Sequence, residues 1–191
     1  MITVYIPSML IILSIHFHSI LVELFRPFVI GSPLSAVRAS PFAIKAYSAS
    51  CHQLRATIYH YATTYGGPPV SAYLMSSLLS VVYSTMPDLD NPQSRFFFSF
   101  TMKFLGALSD QFPIIRYIMQ GIYQSANQAG NTFPQEAIDI LQEQVSRLNH
   151  SESLHGVQSS YPVDLNRSLT DLEAARLSNL IESTKEFALE D

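Results

Sequence analysis

Between Ile12 and Phe28 the chain reads ILSIHFHSILVELFRPF, apolar almost throughout but crossed by one narrow polar stripe. His16, Ser19, Glu23 and Arg26 recur at spacings of 3, 4 and 3, so they share one face of a helix. Glu23 and Arg26 are placed to pair across that face. Pro27 disfavours helical backbone at Arg26 and is expected to end the helix there. A helix this apolar is expected to be buried on most sides, inside a larger all-helical body.

The pattern continues in helical periods. Ile44, Tyr47, Cys51, Leu54, Ile58, Tyr61 and Tyr65 mark an apolar seam on a helix over residues 42–65. Of these, Ile44, Tyr47, Leu54, Ile58 and Tyr61 are expected to be buried together. Gly66-Gly67-Pro68-Pro69 breaks that helix, and Val70–Met86 is a serine-dotted apolar helix. Residues 87–94 are a polar loop in which Asp88 and Asp90 suit helix capping. A Phe-rich helix over 95–111 and another over 114–129 follow, with Gly130 as the stop. Pro134 then opens a helix with Thr132 as its cap, and Ile138, Leu141, Val145 and Leu148 line its apolar face. Residues 149–167 read as a polar linker, and Thr170 with Glu173 fits the capping box of a last helix. The fold class is therefore all-α: an irregular multi-helix bundle, read as part of a domain. Its organisation is a helical portion over 1–149 and an acidic linker with a terminal helix over 150–191.

Composition narrows the class. Of the 191 residues 48% are hydrophobic and only 14% charged, well below the charge content of an ordinary soluble domain. Two readings follow: a mostly buried piece of a larger protein, or a membrane protein. The stretch Ile6–Phe25 is long enough to span a bilayer. Its histidines, serines and Glu23 would be costly there, so the buried soluble helix is the reading adopted and the membrane the alternative. Charge is uneven. Residues 1–135 carry seven basic and four acidic side chains, whereas 136–191 carry four and eleven. There is no basic stripe for nucleic acid, and direct contact with it is not expected. Leu177, Leu180 and Ile181 punctuate the acidic end, as in a final surface helix docked on its own domain or in a partner-binding segment.

Reactive chemistry is sparse. His16 and His18 point about 200° apart on a helix and cannot share a metal, and Cys51 and His52 diverge by about 100°. The single cysteine excludes a disulfide framework and any multi-cysteine zinc site. No phosphate-binding glycine loop or nucleophile-elbow sequence occurs. No catalytic residue and no cofactor is assigned, and the chain is read as a non-enzyme. Arg26, Arg55 and Arg116 are rare charges in apolar helices, suited to helix-end pairing or to anchoring a partner. Phe96, Phe97, Phe98 and Phe100 read as core rather than as a ligand box.

Three stretches carry a resemblance. The helix ending in Phe25-Arg26-Pro27-Phe28 resembles the one that closes with a His-Arg-Pro-Phe-type tetrapeptide in the regulatory (middle homology) domain of fungal zinc-cluster transcription factors. Phe25 departs from the usual His. Ser48–Met86 is similar to that family's long helix, proline loop and apolar helix. Phe96–Gly130 is similar to its helix pair joined by Phe-Pro. Together they span about residues 10–130. The resemblance implies a nuclear, non-enzymatic regulatory domain. Its partners would be the missing N-terminal part of its own domain or other transcription proteins. Zinc would belong only to the family's six-cysteine DNA-binding module, which has no counterpart here. A helical small-molecule-binding domain is a further alternative.

Overall fold

The computed structural model describes residues 5–30, 40–65, 74–128, 130, 132–148, 164–165 and 167–176. Among them are six α-helices and no strand, as the all-α reading requires. They are α1 (Tyr5–Val29), α2 (Pro41–Tyr65), α3 (Met75–Thr85), α4 (Pro92–Leu108), α5 (Ile114–Gln128) and α6 (Gln135–Leu148). The chain divides into two compact units, Met1–Ser84 and Thr85–Asp191. The expected boundary at 149/150 lies outside the described residues.

In the first unit α1 and α2 pack as a helical hairpin. Phe25 meets Phe42 edge to face, with ring centroids 5.9 Å apart, where one helix ends and the next begins. Two expectations fail here. The first is the helix stop at Arg26. Instead α1 runs through Pro27 to Val29, and Ile30 N–H still bonds the Arg26 carbonyl at 2.9 Å. A proline in the last turn forfeits one ladder bond while the turn beyond it closes normally, so it need not stop the helix. The second is the α2 seam. Cys51, Leu54, Ile58 and Tyr61 are buried, but Tyr47 is half-buried and Ile44 is 47% exposed. The inward face at the start of α2 is carried by the smaller Ala43 instead, with Ser50 one turn before Leu54. α3 is enclosed from Ser77 to Tyr83.

The second unit packs α4, α5 and α6 around Phe98, Met102, Leu105, Ile115, Met119 and Ile122, all essentially inaccessible. Asn91 caps α4, its Oδ1 accepting from Gln93 N–H at 2.8 Å and Ser94 N–H at 3.4 Å. Asp88 and Asp90 are therefore not the caps: Asn91 stands immediately before Pro92 at N1, and Asp88 instead accepts from the Ser94 hydroxyl at 3.3 Å. α6 begins at Gln135 with the Pro134 carbonyl accepting its first bonds, so Thr132 lies too early to cap it. Of its expected apolar face Leu141 is buried and Ile138 half-buried, the side chains of Val145 and Leu148 lying outside those described, and Ala137 and Gln144 are buried beside them. Gly130 has φ 73°, the left-handed geometry expected of the stop after α5. Near the C-terminus it is Asp171, not Thr170, that accepts from Ala174 N–H, at 3.0 Å. A carboxylate two residues before Glu173 competes directly with the hydroxyl for that turn.

The α4–α6 crossing is close. A Cβ on Gly106 would stand 3.2 Å from Ile140 Cγ2. Gly106→Leu is expected to cost about 1–3 kcal/mol by overpacking, read as a lower urea midpoint. An unchanged midpoint would show that α6 can shift away.

Candidate functional site

The rare charges of the apolar helices become polar clusters between helices. In the first unit Arg26 is 1% exposed despite its charge. Its Nη2 and Nε donate to Glu23 Oε1 and Oε2 at 2.8 and 3.1 Å. This fork geometry is the strong form of the pair. Glu23 Oε1 also accepts from Ser80 Oγ at 2.5 Å, which ties α1 to α3. One turn further along α3, the Ser84 carbonyl accepts from Arg55 Nη2 at 3.2 Å. Two of the three expected arginines thus lie in one neighbourhood. Tyr47 and Cys51 lie close by on α2. Burial pushes the Tyr47 phenol well above its ordinary range, with the Cys51 thiol adding to the rise and Arg26 opposing it. Burial also pushes the Cys51 thiol up, partly opposed by Arg55.

These two groups hold their protons more tightly folded than unfolded. The stability they lend is fully present below the ordinary thiol value of 9.0 and is lost as the pH rises through the raised folded values. Cys51 is therefore expected to resist a thiol reagent at pH 8 in buffer and to react fully in denaturant. Rapid labelling of the folded chain would overturn this reading of the cluster.

The stripe that carries Glu23 and Arg26 is the inward face of α1. Ile15, Ser19, Val22 and Arg26 are buried, spaced 4, 3 and 4. The opposite face is apolar and open: Leu10, Leu13, Phe17, Ile20, Leu24 and Phe28 are each 42–66% exposed. The expectation that α1 is buried on most sides thus fails. Over Met9–Val29, the one described helix long and apolar enough to cross a membrane, the mean hydropathy is 1.6 and 22% of the window is buried. The cause is the polar stripe: pairing Glu23 and Arg26 against neighbouring helices turns the greasier face outward. Pro27 is half-buried, and Phe28 lies on the open side.

The third arginine, Arg116, is in the second unit. Its Nε lies 3.3 Å from Gln144 Oε1 and its Nη2 3.5 Å from Asp110. Gln144 Oε1 also accepts from the buried Ser109 hydroxyl at 2.6 Å, closing the end of α4 onto α6. Arg147 bonds the same Asp110 at 2.7 Å. These contacts satisfy a helix end and leave the guanidinium 13% exposed, which is poor access for a ligand.

The phenylalanine cluster divides. Phe98 is core, edge to face with Phe133 at 4.8 Å. Phe96 is 48% exposed and stacks on Phe100. The pair borders a cleft of about 610 Å³ that is also lined by Arg95, Lys103 and Glu136. Lys103 and Glu136 pair with each other there.

Sequence reasoning missed Ser80, Ser84, Ser109, Gln144 and Asp164. For the first two a signal was present: serines four apart on an apolar helix, opposite two charges that needed partners. Asp164, 5% exposed, accepts from Ser125 on α5 and from Arg167 N–H at 2.9 Å, and nothing in its polar surroundings marked it. Leu177, Leu180 and Ile181 lie outside the described residues, and the start of the expected last helix, 171–176, forms turns at 172–175 rather than a helix. Among the described residues no three His, Cys, Asp or Glu side chains come together as a metal group. Searches of family models, characterised proteins and solved structures gave no match.

Proposed function

We propose that the chain is a non-enzymatic helical regulatory module of the fungal zinc-cluster type, acting in the nucleus through contacts made by the open face of α1. The observation that carries the reading is that face: a continuous apolar stripe on a helix that buries Ser19 and Arg26 on its opposite side. An exposed patch of this kind marks a surface that another molecule covers. Arg26 supports the resemblance, since the arginine of the tetrapeptide is a buried anchor rather than a surface charge. On this reading the partner is another part of the same regulatory domain or another transcription protein, and this chain touches no nucleic acid and holds no cofactor.

The hydropathy of α1 favours a second reading, a membrane helix. Its pairing with α2 weighs against a span. The outward side of α2 carries exposed Lys45, His52, Gln53 and His60 along the length of the hairpin. A spanning α1 would bring these into hydrocarbon, at about 3 kcal/mol for a central charged group.

The test is a reporter gene driven by an unrelated DNA-binding domain fused to the whole chain. Phe17→Ser with Leu24→Ser should change the output of the fusion at equal protein level. Output indifferent to both the chain and the substitutions would reject the regulatory reading. Recovery of the unfused chain only in the detergent-extracted membrane fraction would replace it with the second.

A further inference from the structure

Leu10, Leu13, Phe17, Ile20 and Leu24 are spaced 3, 4, 3 and 4, a strict heptad seam, and all are more than half exposed. Such a period keeps one stripe aligned along a second helix in a left-handed crossing, with knobs from each side filling holes on the other. The geometry points to a helical occupant, and we infer that it is α1 of a second copy of this chain. The inference rests on the proposed reading of α1 as a contact surface and names the partner.

Three observations favour a second copy. The seam carries no charge, so laying it on itself sets no like charges against each other. The ion pair between Glu23 and Arg26 is already satisfied within the chain. The open face, with Met9 and Phe28, sets seven large apolar side chains along one helix, each 42–66% exposed, enough to form the apolar centre of an interface with a second helix. The α1–α2 hairpin is also half of a four-helix bundle, and two hairpins joined along α1 complete one. A two-fold axis makes the contact isologous. In the antiparallel arrangement the axis passes Phe17, Leu10 meets the partner's Leu24, and Leu13 meets the partner's Ile20. The helix dipoles then oppose.

The test uses the full chain. Sedimentation equilibrium should give about twice the 21.4 kDa chain mass. Phe17→Cys should form an intermolecular disulfide under mild oxidation, while the native Cys51, buried, does not. Leu10→Cys alone should not, but Leu10→Cys with Leu24→Cys should. Ile20→Glu should give a monomer with unchanged helical circular dichroism. A wild-type chain that is monomeric overturns the inference. If the reporter still responds to the α1 substitutions, the surface reading stands and only the partner is wrong. A dimer that survives Ile20→Glu, or a folded wild-type chain that binds neutral phosphatidylcholine vesicles instead of dimerising, likewise overturns it.

Discussion

Glu23→Ala is expected to destabilise the first unit by about 2–3 kcal/mol, measured by urea unfolding. Removing one partner of a buried pair typically costs about 3–5 kcal/mol, because the remaining charge loses its counter-ion in a desolvated site. The lower figure reflects the unequal burial of this pair. Arg26 is 1% exposed, but the Glu23 side chain is 39% exposed, so water already screens part of the attraction. The asymmetry also sets an order among variants. Arg26→Met removes the buried charge and leaves a carboxylate that reaches solvent and Ser80, so it should cost less than Glu23→Ala. The double change, Glu23→Leu with Arg26→Met, should likewise cost less than Glu23→Ala alone. A Glu23→Ala midpoint equal to wild type would show that the pair adds nothing, and that α1 is held by its apolar contacts, Ile15, Val22 and Phe25 among them.

The stripe containing this pair also shows how far the sequence could be read. The helices were legible because their periods are long and their breakers strong: α2 matches the expected 42–65 to within a residue, and α5 matches 114–129 equally well. Which side of a helix faces in was harder. For α1, apolarity pointed to burial on most sides, whereas the cost of leaving Glu23 and Arg26 without partners decided the orientation. That decision depends on Ser80, 57 residues away, and no local pattern in α1 contains it. In α2 the same limit appears on a smaller scale. Ile44 and Ala43 are neighbours about 100° apart, and the inward place goes to the smaller Ala43. Capping was missed by one residue at Asn91 and Asp171 and by two at Pro134, because several competent groups crowd each helix start and only backbone geometry selects among them.

Phe98→Ala is expected to cost about 3–5 kcal/mol, the range for emptying a buried aromatic site. Phe98 is inaccessible and sits edge to face against Phe133, which in turn contacts Tyr123 at 5.5 Å. One substitution therefore loosens the junction of α4 with α5 and with the segment before α6. The neighbouring Phe96 provides the control. It belongs to the same FFF run, but its position on α4 leaves it 48% exposed at the open cleft, stacked on Phe100. Phe96→Ala should cost under about 1 kcal/mol, a surface contact rather than a core cavity. The two effects should separate by several-fold in urea midpoints measured on the full chain. Equal losses at 96 and 98 would mean that the cleft is closed in solution and that Phe96 is core after all. A small loss at 98 would mean that α4 can rotate about its axis, and the assignment of the inward face of the second unit would fail with it.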